Sequence, residues 1–230
     1  MADAADPSDA EAFRRLGLGD EDRAAWTAAG LPADRFADWL TDRVARRPEG
    51  SRARAVYGAE EVHDWARRAI LDALDPRPGD RLLDIGCGGG LLLRDAIRRG
   101  AAATGLDHSP TMVELARARA PGARIVLGSA ERLPFPDRDF TLVSMAVMLF
   151  FLEDPVLALG EARRVLEPSG RLAVYTTGPE LRGTEAAPEP IASRGHFHDD
   201  VRLADLARAA GFRDVVVVNE GGGQLLTGIR

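Results

Sequence analysis

Two carboxylates flank a run of glycines in the middle of the chain, at the spacing that a bound nucleoside requires. Residues 82–93 read Leu-Leu-Asp-Ile-Gly-Cys-Gly-Gly-Gly-Leu-Leu-Leu. The apolar run from Leu82 to Ile85 fits a buried strand, and Leu91 to Arg99 fits a helix. Between them, Gly86, Gly88, Gly89 and Gly90 leave backbone bare where a side chain would collide with a ligand. A second strand-like run, Ala103 to Leu106, then ends at Asp107. A carboxylate at that place accepts hydrogen bonds from both hydroxyls of a ribose. Strand, glycine turn, helix, strand and acid describe half of a nucleotide-binding α/β domain.

The dinucleotide fingerprint Gly-x-Gly-x-x-Gly/Ala fails here, because its last place falls on Leu91, which argues against a nicotinamide oxidoreductase. The pattern present is Asp84-x-Gly86-x-Gly88-x-Gly90. It resembles the first motif of class I S-adenosylmethionine (SAM) methyltransferases. SAM has no pyrophosphate to cradle, but it carries an ammonium group that Asp84 would help neutralise. Residues 105–112, Gly-Leu-Asp-His-Ser-Pro-Thr-Met, resemble the second motif of that class, with Asp107 as the ribose acid and Ser109-Pro110 opening a helix. Residues 128–136, Gly-Ser-Ala-Glu-Arg-Leu-Pro-Phe-Pro, resemble the segment that holds the adenine, with Ser129 where the family usually has an acid. Residues 139–152, 153–174 and 202–229 resemble the later elements in order. Together, about 82–177 and 200–229 are similar to the ubiquinone/menaquinone-biosynthesis-like (methyltransferase type 11) branch. The resemblance implies cofactor contacts at Asp84, Gly86, Cys87, Gly88, Gly90, Asp107, His108, Met112, Ser129, Ala130, Glu131 and Met145.

The elements that must position these residues alternate after residue 80. Strands fit about 81–86, 102–107, 124–128, 140–146, 170–177, 213–219 and 223–229, with helices at about 90–99, 110–119, 155–166 and 200–210. Such alternation means a parallel sheet with helices on both faces. The last two strands are joined by a short turn around Gly221, Gly222 and Gly223, so they form a hairpin. The fold expected is α/β: a Rossmann-like, doubly wound sheet of seven strands with a C-terminal antiparallel hairpin, plus an N-terminal helical cap. Residues 1–75 are read as the cap and 76–230 as the SAM-binding domain. Within the cap, residues 1–12 read as a frayed acidic end. Phe36, Trp39, Leu40 and Val44 mark one helix face, and residues 46–51 read as a linker. A helix from Ala59 to Leu74 places Val62, Trp65, Ala69, Ile70 and Ala73 on one side. All three tryptophans, Trp26, Trp39 and Trp65, precede the glycine loop, so the cap is expected to be ordered, as a lid or as a prop on the sheet.

Composition narrows the class. The 230 residues carry 36 acidic and 30 basic side chains, a net charge of −6 that argues against nucleic acid as a partner. Every basic residue is arginine, so no lysine is present for Schiff-base chemistry. The single cysteine, Cys87, excludes an intramolecular disulfide and fits a reducing cytoplasm. No apolar run reaches the length of a membrane span, and no secretory signal is visible at the N-terminus. A monomer or homodimer is expected.

The turn after the fourth strand, Ser144 to Leu152, should face the transferable methyl. Relatives in this branch often have a His pair where Phe150 and Phe151 stand, and Asp where Thr141 stands. Both departures favour an apolar pocket for a hydrophobic or planar acceptor, with one of the two phenylalanines facing it. Tyr57, ahead of the second cap helix, Phe150 and Tyr175 are the expected substrate contacts. His196 and His198, in the loop after the fifth strand, are the expected catalytic bases; His63 reads as a surface residue. A His-x-His metal site lacks a third ligand, so no metal is expected. The function expected is methyl transfer from SAM to a small-molecule acceptor. The alternative is a SAM- or S-adenosylhomocysteine-binding protein that transfers no methyl.

Overall fold

Seven apolar segments pair into one sheet in the order β3-β2-β1-β4-β5-β7-β6. They are β1 (Arg81–Ile85), β2 (Ala102–Asp107), β3 (Arg124–Leu127), β4 (Phe140–Ala146), β5 (Leu166–Thr176), β6 (Arg213–Glu220) and β7 (Gly223–Ile229). The computed structural model describes residues 13–230 except 15 and 221; the acidic end at 1–12 and the hairpin glycine Gly221 fall outside the described residues. Strands β1 to β5 run parallel, and β7 runs antiparallel to both β5 and β6. The chain order reverses between β1 and β4, which opens a crevice at their carboxyl ends. Asp84 and Ser144 face each other in register there.

Alternation along each strand divides the core in two. Leu83, Ile85, Val143 and Met145 pack with α7 (Pro155–Val165) and α8 (Asp200–Ala209) on one face. Leu82 and Leu142 pack with α4 (Asp64–Leu74), α5 (Leu91–Arg98) and α6 (Pro110–Arg119) on the other. A sheet covered on both faces needs strands that are apolar almost throughout, as these are. Asp84 and Ser144 are buried polar exceptions in β1 and β4, hydrogen-bonded to each other beside the crevice.

Before the sheet come α1 (Asp20–Ala29), α2 (Phe36–Thr41), a π-helical turn (Asp42–Arg46) and α3 (Gly50–Gly58). Phe13, Trp26, Phe36 and Trp39 form a separate aromatic core, with Trp26 5.1 Å from Phe36 and 5.2 Å from Trp39, both edge-on. Such pairs each add about 0.5–1.5 kcal/mol beyond their buried area. The expected face of Phe36, Trp39, Leu40 and Val44 does pack there, although the helix loosens into a π turn after Thr41.

Two expectations for the cap are corrected. Gly50 and Ser51 belong to α3 and not to a linker. The single helix over 59–74 is interrupted, because α3 ends at Gly58 and His63 takes a left-handed conformation (φ 50°, ψ 34°) before α4 begins. That break rotates Trp65 out to solvent, at 48% exposure, while Ala69 and Ile70 stay buried. The fifth strand is also longer than expected, starting at Leu166 beyond a register shift between Phe140 and Leu142.

Hydrogen bonds tie the cap to the sheet half. The Arg119 guanidinium donates to the carbonyls of Tyr57 (3.0 Å), Gly58 and Gly89 (3.2 Å), so one side chain joins the end of α3 to the glycine loop. The Ser109 hydroxyl donates to the Pro48 carbonyl, and Arg94 pairs with Glu60 at 2.7 Å. Arg119→Ala leaves those three carbonyls without their donor and should lower stability by about 2 kcal/mol, the scale of hydrogen bonds to a charged group. Urea melts check the magnitude. Hydrogen exchange should quicken first in residues 50–64, and unchanged exchange there would show that Arg119 does not hold the cap.

Candidate active site

A cavity of about 500 Å³ opens at the carboxyl ends of β1, β2 and β4, under the cap. Its floor is the turn after β1. Gly86, Cys87, Gly88 and Gly89 line it, while Gly90, expected at the ligand, packs on Ala116 of α6. Gly88 has a φ of +49° and open space where a Cβ would stand. At Gly89 a Cβ would lie 2.6 Å from the Tyr57 carbonyl, so this glycine serves the contact with the cap. Burial pushes the Cys87 thiol well above its ordinary range, which removes it as a nucleophile near neutral pH.

Asp107 ends β2 and bridges two backbone groups: Oδ2 accepts from the Gly88 N–H at 2.9 Å, and Oδ1 from the Ser109 N–H at 2.8 Å. Each oxygen keeps a lone pair for the cavity it lines. Burial raises its pKa, while the N–H groups of Ser109 and Gly88 pull it down. Asp84 is 1% exposed and accepts one hydrogen bond, from the Ser144 hydroxyl at 2.7 Å. Among the described residues no cation pairs with it. Burial therefore lifts it from the ordinary 3.8 to about 7, the Ser144 bond opposing and the nearby Asp107 charge adding to the rise.

Beside Asp107 lie His108, exposed, and Met112, buried at the start of α6. Ser129, Ala130 and Glu131 complete that wall in a turn where the Ser129 hydroxyl accepts from the Glu131 N–H at 3.2 Å. Opposite, the turn after β4 supplies Ala146, Val147, Met148, Phe151 and Leu152. Val147 has a φ of +55°, an outlier for a β-branched residue, held by its N–H donating to the Tyr175 carbonyl at 2.8 Å.

Several expected contacts stand elsewhere. Met145 shares strand parity with Val143 and is fully buried under the sheet with α7, so Ala146 to Met148 take its place at the cavity. Phe150 is 3% exposed and stacks on Phe197, ring centroids 5.3 Å apart, whereas Phe151 lines the cavity. Tyr175 is buried on the α4 face, its hydroxyl donating to the Glu220 carbonyl. His196 and His198 lie outside the cavity lining. His196 is half-exposed, with Nε2 3.9 Å from Glu153 at the rim, and burial lowers the pKa of His198.

The cap supplies what was missed. Tyr57, expected as a substrate contact, lines the cavity, and burial plus the Asp107 charge raise its pKa to about 12, so it stays a neutral donor. His63 lines the cavity too, as do Arg46 of the π turn and Arg47 just after it. The polar stretch Gly58-Ala59-Glu60-Glu61 was the sequence signal of a helix break that would have placed His63 here.

Comparison with known proteins agrees with this geometry. A family described as methyltransferase domain matches residues 83–174. The chain is 38% identical over 142 residues to a demethylmenaquinone methyltransferase of Beutenbergia cavernae, covering 61% of this chain and 58% of that one. It is 36% identical over 163 residues to a malonyl-[acyl-carrier protein] O-methyltransferase of Halorhodospira halophila, covering 66% and 55%. The chain thus spans somewhat more than half the length of these curated relatives. The crystal structure of a SAM-dependent methyltransferase from Thermotoga maritima superposes with a TM-score of 0.61 at 27% identity, covering 73% of this chain and 91% of that one. Residues 83–174 thus match a methyltransferase domain, and the chain is similar to SAM-dependent methyltransferases.

Proposed function

We propose that this protein transfers the methyl group of SAM to a small, apolar or planar acceptor held between the β4 turn and the cap. The observation that carries this is Asp84, a buried carboxyl with no cationic partner among the described residues, beside a second buried carboxyl that faces the same cavity. A ligand that is cationic at one end and carries a diol in its middle satisfies both. The cavity volume lies within the range of cofactor sites. The open space at Gly88 leaves room for close approach to the backbone.

When bound, SAM supplies a methyl on a sulfonium, which an acceptor atom takes by in-line displacement. Asp84 balances the ammonium group. Asp107 receives the ribose hydroxyls while holding Gly88 and Ser109 in place. Met112, Ser129, Ala130 and Glu131 frame the adenine, with His108 along its edge. Met148, Phe151 and Leu152 exclude water on the acceptor side. A dry wall favours a step in which positive charge disperses, and orientation of the acceptor carries most of the rate. The cap, closing from above through Tyr57 and the π turn, is the lid of this site. The two curated relatives methylate different acceptors by their names, a demethylmenaquinone and a malonyl-acyl carrier protein. The apolar β4 turn supports the first, flatter kind.

Calorimetry with SAM tests the reading, and turnover to S-adenosylhomocysteine with candidate acceptors separates a transferase from a protein that only binds. Asp107→Ala should weaken SAM binding by roughly 1–3 kcal/mol. Gly88→Val should abolish binding; its Cβ clashes with nothing in the protein, although a β-branched residue at φ +49° is strained and should cost some stability. Gly89→Val should instead loosen the cap, because its Cβ falls against the Tyr57 carbonyl. Equal SAM affinity in Gly88→Val and the parent would place the ligand elsewhere.

The Asp84 pKa of about 7 fixes a pH dependence. A cationic ligand needs the ionised carboxylate, so SAM affinity should fall as pH drops below 7, approaching about tenfold per unit, with close to one proton released per SAM at pH 6. In the free protein the folded state keeps a proton that the unfolded chain has lost above pH 4. Free-protein stability should therefore decline from about pH 4 to 7. Asp84→Asn removes both dependences. SAM affinity that stays flat between pH 5.5 and 7 would remove Asp84 from the cationic end.

A further inference from the structure

We infer that His63 is the general base of the reaction, taking a proton from the acceptor as its oxygen, nitrogen or carbon bonds to the methyl carbon. This rests on the methyl-transfer reading above. The β4 turn offers no base: its cavity-lining side chains from Ala146 to Leu152 are all apolar. His196 and His198 lie off the cavity, and His108 sits exposed beside the ribose acid. His63 is the histidine that the cap itself brings to the cavity.

Its placement is specific. The left-handed backbone at His63 breaks the path between α3 and α4. The imidazole stands edge-on between Tyr57 at 6.2 Å and Trp65 at 5.8 Å, which fixes the ring plane. Among the described residues its ring nitrogens make no hydrogen bond or ion pair, so a ligand group is free to engage them. The charged neighbours are already engaged or distant in role. On its own helix Asp64 and Arg67 pair with each other, and Arg67 also with Asp95 at 3.1 Å. From the π turn Arg46 faces Asp42 at 2.8 Å. Glu153 lies at the rim near His196, and Asp84 and Asp107 belong to the cofactor end. Burial lowers the pKa of His63 from 6.5, so the ring is neutral near pH 7 and ready to accept a proton.

The step balances as follows in atoms and charge. The acceptor's bond to hydrogen breaks and its electron pair forms the bond to the methyl carbon. The carbon–sulfur pair remains on sulfur, which loses its positive charge, and the proton moves to His63. The imidazolium then releases that proton to water at the cavity mouth.

His63→Gln and His63→Asn test this, asparagine being tolerant of the left-handed backbone. The rate at saturating SAM should fall 10²–10⁴-fold at neutral pH. The acidic limb of the pH–rate profile, set below 6.5 in the parent, should vanish, and SAM affinity by calorimetry should stay within about twofold. A weakened SAM affinity with the rate restored at saturation would overturn the proposal, making His63 a cofactor-holding residue. So would an unchanged rate profile. Should the parent turn over none of a panel of phenols, quinols and carboxylic acids, nitrogen NMR of the S-adenosylhomocysteine complex still decides. His63 should titrate below 6.5 and respond to added 4-nitrophenol. A ring that titrates at or above 6.5, or ignores the phenol, overturns the inference.

Discussion

The Asp107 carboxylate is the fixed point of this molecule. One oxygen holds the Gly88 N–H and the other the Ser109 N–H, so the glycine turn after β1 and the start of α6 are clamped to the end of β2. Ser109 carries the constraint onward: its hydroxyl accepts from the Met112 N–H as a helix cap and donates to the Pro48 carbonyl of the cap segment. Three chain segments far apart in sequence thereby share one set of hydrogen bonds. Removing a group from such a set costs more than one bond, because the partners left behind are buried. The same carboxylate still has lone pairs for a ligand, which makes the binding site and the scaffold a single structure.

A second constraint is electrostatic. Asp84 and Asp107 are both buried, the Asp107 charge adds to the rise in the proton affinity of Asp84, and Asp84 has only the Ser144 hydroxyl to offset its burial. A protein selected for stability alone would remove such a carboxyl or pair it with arginine, of which this chain has 30 basic examples and no lysine. The uncompensated acid is best understood as half of an ion pair whose other half arrives with the ligand. Arginine is instead spent on joining: Arg119 links the cap to the glycine loop, and Arg164 holds Glu161 and Asp137 together with the carbonyls of Leu133 and Phe135, steadying the segment that follows Glu131.

The parts of the fold governed by local period were legible in the sequence. Strand and helix limits after residue 80 agree with the structure to within a few residues, since apolar runs, glycine turns and the Ser109 and Asp154 caps act locally. The glycine-turn side of the cavity was legible for the same reason: the motif residues that line it sit on adjacent turns. What failed depended on side-chain direction or on a single backbone torsion. Met145 and Tyr175 were assigned by nearness in sequence to the strand ends, yet strand parity sends each to a covered face. Phe150 and Phe151 are neighbours that a short 3₁₀ turn separates, and packing on Phe197 decides which one is buried. His63 was hidden by one left-handed residue inside a continuous helical pattern.

The site is consequently divided by origin. The sheet and its turns line one side of the cavity, whereas the cap brings Tyr57, His63, Arg46 and Arg47 to it. The sheet residues follow motifs that one chemistry requires, and the cap residues follow none. A cap tied down by Arg119, Ser109 and Arg94 nevertheless presents them at fixed positions, because its own aromatic core keeps α1, α2 and the π turn together. The cap side chains at the cavity can thus change without disturbing the Asp107 clamp. The cap is the segment in which differences among relatives of similar core sequence should be sought, and an apolar β4 turn gains meaning only together with the polar groups set above it.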